Sequence, residues 1–375
     1  MVLTIGLPRM HKEAGERRDF LPALVSFLER IGAERIVVEA GYGSGMNLTK
    51  REYLAASTRC CVGTQQECFE QDVVLVLRYP ADTSIAYMRP GAILMSMVHF
   101  PTRPARVEHL ARAGIRAVSL DSITDDRGRR LVENLEAVAW NGVREGFRAL
   151  GENWPELERP GRGPVRVVIL GGGAVGGHAV RAAVAYGDRA MRARLTARGV
   201  AGVEVTVVDY DLADRVDYMA ELLARSDLIV DATQRRDTTR PVIPNRWLGA
   251  VPEHAVLVDL AVDPYDFTQV PPHVKGIEGI PEGNLDQHVF RTEDAAWAKL
   301  DPRVDTRQRR TALSCYSWPG IEPRDCMEVY GKQVEPLLRV LFERELDALD
   351  ESEGTYFERA VARAELNRWR KRNTH

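Results

Sequence analysis

The chain has 375 residues, 45% hydrophobic and 28% charged, enough for two soluble domains each burying its own core. Its 51 basic and 54 acidic residues leave a net charge of −3, so no overall field draws it to nucleic acid or an anionic membrane. No apolar run approaches the ~18 residues of a membrane span and the start, Met1 to Leu7, lacks the regions of a signal peptide, so a cytosolic protein is expected.

Leu3 to Leu7 reads as a first strand, followed by a polar loop, His11 to Asp19, and an amphipathic helix to Ile31. Arg35 to Glu39 is a second strand and Gly41 to Gly45 a glycine turn. A helix near Thr49 to Ala56, strands over Val73 to Leu77 and Ala92 to Val98, a helix around Arg103 to Ala113 and a strand from Ala117 to Leu120 follow. Strands alternating with helical patterns predict a parallel α/β domain, whose strand ends deliver Arg78 and His99 to the edge where such sheets bind ligands. Leu131, Leu135, Val138, Phe147 and Leu150 mark one face of a long helix leaving that domain. Gly151 to Pro164 is then a Pro/Gly-rich connection.

Val167 to Leu170 predicts a buried strand, after which Gly171, Gly173 and Gly176 fall on the G-x-G-x-x-G spacing as a helix begins with Ala174 and Val175. The first glycine makes the turn, the second lets backbone approach a pyrophosphate, and the third lets helix and strand pack closely; the helix N-terminus faces the phosphates. A second strand, Val203 to Val208, ends at Asp209, placed to accept ribose hydroxyls, and the strand Leu228 to Ala232 brings Ala232 beside the same turn. Asp209 favours NAD. It lies 38 residues after Gly171, where about 20 is usual, because of a basic insertion, Gly187 to Gly199. The arginines of that insertion, Arg189, Arg192, Arg194 and Arg198, keep NADP as the alternative.

Beyond these come a helix (Ala213 to Ala224), a strand (Ala255 to Leu260) running into Asp263, a polar stretch from Glu282 to Ser317, and two closing helices. These span Arg324 to Leu349, bent at Pro336, and Tyr356 to Arg372, and are expected to return to the first domain. The five cysteines show no zinc-ligand spacing, so reduced structural thiols and no metal are expected. In the first domain Arg17, Arg18 and Arg78 are candidates to hold a carboxylate bidentately, and His99 to move a proton.

In this order the motifs resemble those of the alanine dehydrogenase, pyridine nucleotide transhydrogenase N-terminal and lysine-forming saccharopine dehydrogenase group. Ile5 to Pro22 resembles its opening, in which a lysine-glutamate stretch precedes a substrate-binding arginine, here Arg17. Glu39 to Gly45 is similar to its glycine turn, and Leu94 to His99 to its strand ending in a catalytic histidine. Val258 to Asp263 resembles its strand ending in an aspartate beside the nicotinamide, and Pro319 to Arg324 its proline-glycine turn. Arg78 replaces a lysine of the group, and an arginine binds but does not give up its proton. Asp121 replaces a glutamate lining its substrate site, and Ser317-Trp318 stands where an asparagine is expected.

The resemblance implies two Rossmann-like domains with a cleft between them. Residues 1–133 with 326–375 form the substrate domain, and 134–325 the NAD-binding one. It implies an NAD(H)-dependent oxidoreductase of an amino-acid C–N bond, with Arg17, Arg78 and Asp121 at the substrate and His99, Asp263 and Arg78 at the chemistry. Two acid-binding arginines suit opine-type condensation of an amino acid with a 2-oxo acid. Alanine dehydrogenation, with ammonia as amine, is one alternative and a non-catalytic dinucleotide-binding regulator another. A homo-oligomer with small-molecule partners only is expected.

Overall fold

The computed structural model describes residues 3–373. The chain divides into two units, one comprising the residues up to Asn134 together with those from Glu322 on, the other Leu135–Ile321.

The first unit holds six strands, β1 (Thr4–Leu7), β2 (Arg35–Glu39), β3 (Cys60–Gly63), β4 (Val73–Arg78), β5 (Ile93–Met97) and β6 (Arg116–Ser119). They form one parallel sheet in the order β3-β2-β1-β4-β5-β6. The side-chain period of two sorts β4 between two cores, Val73, Leu75 and Leu77 on one face and Val74 and Val76 on the other. A strand buried on both faces reads as a continuous apolar run, which is why β4 is plain in the sequence. β3 is not, because Cys60-Cys-Val-Gly63 is short and half exposed.

The helix Pro323–Glu343 lays Val334, Leu337, Leu338 and Leu341 into the core that holds Leu75. It passes through Pro336 and stops at Glu343, six residues before the expected end at Leu349. The final helix is two, Tyr356–Arg363 and Leu366–Asn373. Between them the Ser119 N–H donates to the Ala364 carbonyl at 3.0 Å and Val118 bridges Glu365, so the break covers the β6 edge, which would otherwise present unpaired backbone groups. Buried Glu365 accepts from Arg116 Nε at 3.0 Å.

The second unit holds β7 (Val165–Leu170), β8 (Val203–Val208), β9 (Leu228–Asp231), β10 (Val256–Asp259), β11 (Val289–Phe290) and β12 (Thr311–Ser314). Their order is β11-β12-β10-β9-β7-β8, all parallel except β11. In β7, Val165, Val167 and Ile169 face one core and Val168 and Leu170 the other. The polar stretch after Glu282 supplies β11 and then β12, whose four residues are all buried. In each sheet the strand order reverses at one place, between β1 and β4 and between β7 and β9. Open α/β sheets bind their ligands outside the carboxyl ends of the strands at this reversal.

Candidate functional site

In the second unit the turn after β7 meets each requirement of a pyrophosphate cradle. Gly171 has φ +93°, and a Cβ there would stand 2.8 Å from the Ala232 carbonyl oxygen, so Ala232 at the end of β9 walls the turn. A Cβ on Gly176 would overlap the Gly171 carbonyl, which is the close helix-strand contact the third glycine permits. Gly173 opens the helix Ala174–Val184, and a Cβ there would meet nothing within 4 Å. The space above the helix N-terminus is thus open, with the N–H groups of Ala174, Val175 and Gly176 in its first turn. A dinucleotide fits this cradle.

Asp209 follows β8, next to β7 in the sheet. It is exposed, and its Oδ1 accepts from the Tyr210 N–H at 2.7 Å. The basic insertion folds as a helix, Arg189–Ala197, leading to the start of β8. Arg194 and Arg198 both pair with Glu158, at 2.7 and 2.6 Å, ahead of β7, and Arg189 lies over the Trp140 ring. Six strand residues, ~20 Å of extended chain, separate the amino end of β8 from Asp209. Arg194 and Arg198 thus lie toward the amino ends of the strands, and Asp209 stands at the carboxyl end of β8.

Beside the cradle, β9, β10 and β12 end in register on Asp231, Asp259 and Ser314. Buried Lys275 donates to Asp259 Oδ2 at 2.8 Å, and Ser314 Oγ reaches the same oxygen at 3.0 Å. Asp259 Oδ1 accepts the Val262 N–H at 2.7 Å. Val262 has φ +56°, a genuine outlier for a β-branched residue, so this carboxylate holds a strained turn that presents Asp263. Asp263 Oδ2 accepts from Arg235 Nη2 at 2.7 Å; Arg235, which the sequence reading did not single out, also donates to the carbonyls of Arg240 and Val274. Asp231 Oδ1 accepts from Thr233, but Oδ2 has no hydrogen bond within the described residues. Burial and the neighbouring Asp259 push the Asp231 carboxyl up to about 6.

In the first unit, charged side chains gather at the ends of β1, β4, β5 and β6. Of the two adjacent arginines, Arg18 is buried and clamped by Glu16, with Nη2 to Oε2 at 2.6 Å, whereas Arg17 is exposed. The glycine turn after β2 packs against Arg17 closely enough that a Cβ on Gly45 would stand 2.8 Å from Arg17 Cα. Gly43 donates to buried Asp19 at 2.7 Å. Arg78 ends β4, with Nη2 3.4 Å from Glu13 Oε1.

His99 follows β5 in a left-handed conformation, φ +61°. Its Nδ1 lies 3.1 Å from Asp121 Oδ2, and its backbone N–H donates to Asp121 Oδ1 at 3.2 Å. Ser119 Oγ donates to Asp121 Oδ1 at 2.8 Å. Burial alone would raise the Asp121 carboxyl, but the hydrogen bonds from His99 and Ser119 and the His99 charge together hold it below its ordinary value. An ionised Asp121 accepts the Nδ1–H of His99, which fixes the tautomer and leaves Nε2 as the outward acceptor. Both oxygens of Asp121 are thus engaged inside the unit, by His99 and Ser119.

Residues 6–138 match the family described as "Alanine dehydrogenase/PNT, N-terminal domain". The chain is 22% identical over 301 residues to an alanine dehydrogenase of Bacillus subtilis, covering 72% of this chain and 74% of that one. It is 26% identical over 281 residues to that of Lysinibacillus sphaericus, covering 70% and 73%. Among solved structures, an L-alanine dehydrogenase superposes with a TM-score of 0.67 over 96% of this chain and 94% of its own, at 19% identity. A transhydrogenase from Sinorhizobium meliloti gives 0.59 over 89% and 93%, at 18% identity. The two-Rossmann architecture is therefore shared. The chain is thus similar to alanine dehydrogenases over about seven-tenths of its length, and its residues 6–138 match the N-terminal domain of the alanine dehydrogenase/PNT family.

Proposed function

We propose that this protein catalyses the NADH-dependent reductive amination of a 2-oxo acid, with ammonia as the amine, and the reverse oxidative deamination. The observation that carries the reading is the His99–Asp121 pair, a histidine of fixed tautomer one strand away from Arg78 at the strand-order reversal of the family-matched unit. The alanine dehydrogenases that share up to 26% identity favour ammonia over an amino acid as amine.

The first unit binds the organic substrate. Arg17 and Arg78 hold its C1 carboxylate, Arg78 through a fork that a lysine lacks. In amination, ammonia adds to C2, the resulting hydroxyl leaves as water, and the imine is reduced. In amination His99 Nε2 takes a proton from the incoming ammonium and donates it to the hydroxyl that leaves as water; in deamination it takes one from attacking water and returns it to the departing ammonia. Asp121 stabilises the imidazolium between the two, as a buried carboxylate does for a catalytic histidine elsewhere. The second unit holds NAD(H), with Gly171, Gly173 and Gly176 and the N–H groups of Ala174 and Val175 at the pyrophosphate, Asp209 at the ribose hydroxyls and Ala232 beside the turn. When bound, the nicotinamide supplies the hydride for C2 and takes it back in deamination. Asp263 serves in orientation at the nicotinamide end, pinned by Arg235 through one oxygen.

Opine-type condensation, with an amino acid in place of ammonia, is the second reading, favoured by the number of cations around Arg78. NADH oxidation measured with a panel of 2-oxo acids, with ammonia, with lysine or ornithine, and with neither, tests both. Turnover that requires ammonia supports the first, turnover that requires the amino acid supports the second, and none with any pair contradicts both.

A further inference from the structure

One arginine at this edge lacks the partner its surroundings call for. Arg106 lies in the helix Pro104–Arg112, half-buried. Its guanidinium sits 4.6 Å from the centre of the Tyr79 ring, the residue after Arg78, and its Nη1 donates to the Val98 carbonyl at 3.3 Å, the residue before His99. It therefore bridges the ends of β4 and β5, between the two groups of the first unit assigned to substrate and proton. Neither Arg106 nor Arg103 forms an ion pair among the described residues, and Lys12 stands over the same Tyr79 ring at 5.7 Å. The nearby acids are already engaged, Asp82 by the Tyr79 hydroxyl at 3.0 Å and Glu13 by Arg78 at 3.4 Å. Burial, with Arg103 and Arg78 close by, pulls the Arg106 guanidinium below its ordinary value despite Tyr79 and Asp82.

A half-buried cation among cations is costly to hold unless an anion joins it. The C1 carboxylate is taken by Arg17 and Arg78 in the proposed function. We propose that Arg106, with Arg103 beside it, forms an anion subsite for a second carboxylate of the reacting pair, borne either by the side chain of the 2-oxo acid or by an amino acid serving as the amine. The inference rests on that reading of the His99 site but adds a residue and a substrate class to it. It also explains why Arg106 stacks on Tyr79, since the ring presents the guanidinium while leaving its outer N–H groups to a carboxylate fork.

The test compares three pairs in NADH oxidation by the full chain: pyruvate with ammonia, oxaloacetate or 2-oxoglutarate with ammonia, and pyruvate with an amino acid. One of the two carboxylate-bearing pairs should exceed pyruvate with ammonia in kcat/KM by about ten-fold or more, the scale of one charged hydrogen bond. Arg106→Gln should abolish that margin through KM, and Arg106→Lys should restore part of it. The preferred pair tells whether the oxo acid or the amine brings the carboxylate. A preference for pyruvate with ammonia, or an equal loss on all pairs in Arg106→Gln, overturns the subsite and leaves the proposed amination standing. If no pair turns over, the proposed function fails, and calorimetry decides the subsite on its own: binding of succinate about ten-fold tighter than propionate, lost in Arg106→Gln, supports it, and equal binding overturns it.

Discussion

At the strand-order reversal of the first sheet, between β1 and β4, the proposed ligand groups are side chains: Arg17, Arg78 and His99, with Arg106 bridging from the following helix. At the reversal of the second, between β7 and β9, they are backbone, with glycines clearing the space that N–H groups occupy. In the proposed function the same parallel architecture thus offers a small carboxylate a set of forks and a pyrophosphate a helix end. The difference extends below the surface. The first unit fixes its histidine with one saturated carboxylate, Asp121, whereas the second carries a row of acids, Asp231 and Asp259, around a single buried lysine, Lys275. Specificity in the first unit should therefore respond to single side-chain changes, and in the second to added volume.

The largest effect expected is on turnover. His99→Ala should lower kcat by about 100- to 10,000-fold, the usual worth of a positioned acid-base group, while NADH affinity measured by calorimetry stays within about two-fold. If the loss appears in NADH affinity instead, the division of labour between the units is wrong.

Gly173→Ala probes the backbone side of the comparison. The added methyl meets no protein atom within 4 Å and φ is −70°, so thermal stability should hold. NADH affinity should fall by about ten-fold or more as the methyl displaces charge-assisted phosphate contacts. A stable variant that binds NADH normally would move the pyrophosphate elsewhere. On the side-chain edge, Arg78→Lys keeps the charge and loses the fork, a change of about 1.5–3 kcal/mol. It should raise the KM for the oxo acid with kcat less affected, and an unchanged KM would remove Arg78 from the carboxylate.

The smallest effect concerns stability and pH. Asp231 in the folded protein is raised to about 6 from an ordinary value of 3.8. Between these values the folded state binds more protons than the unfolded one, so this group lowers stability as pH rises from about 4 to 6, and the full penalty stands above 6. Asp231→Asn should remove that slope and stabilise the protein at pH 7 by about 1–3 kcal/mol. Denaturant unfolding at pH 5 and pH 7 measures it, and a variant less stable at pH 7 would mean that the charge of Asp231 balances Lys275.

Much of this was legible in the sequence, for reasons that differ by element. The Gly171 turn could be read because its G-x-G-x-x-G spacing lies within six residues, where a Cβ on Gly176 would overlap the Gly171 carbonyl. β4 and β7 could be read because strands buried on both faces are continuously apolar. β12 could not, being four residues that follow an arginine-rich stretch with no alternation to mark it. The long-range pairs were hidden for another reason: Arg235 finds Asp263 28 positions on, and Lys275 finds Asp259 16 positions back. Asp121 was singled out without its pairing to His99, although parallel pairing of β5 with β6 would have set its carboxylate beside that histidine once the strand order was known. Arg106 carried no signal of its own, since seven residues beyond His99 it reads as one more charge on a surface helix. Its position is set by Tyr79, just past the end of β4.

The central claim is that hydride from NADH ends on C2 of an amino acid formed at the His99 site. NADH deuterated at the transferring C4 position, supplied with 15N-ammonia and the preferred 2-oxo acid, tests it by mass spectrometry of the product. The account predicts an amino acid carrying one deuterium at C2 and one 15N, absent from the His99→Ala reaction. Consumption of NADH that leaves deuterium on a 2-hydroxy acid, or an aminated product without deuterium, would contradict it.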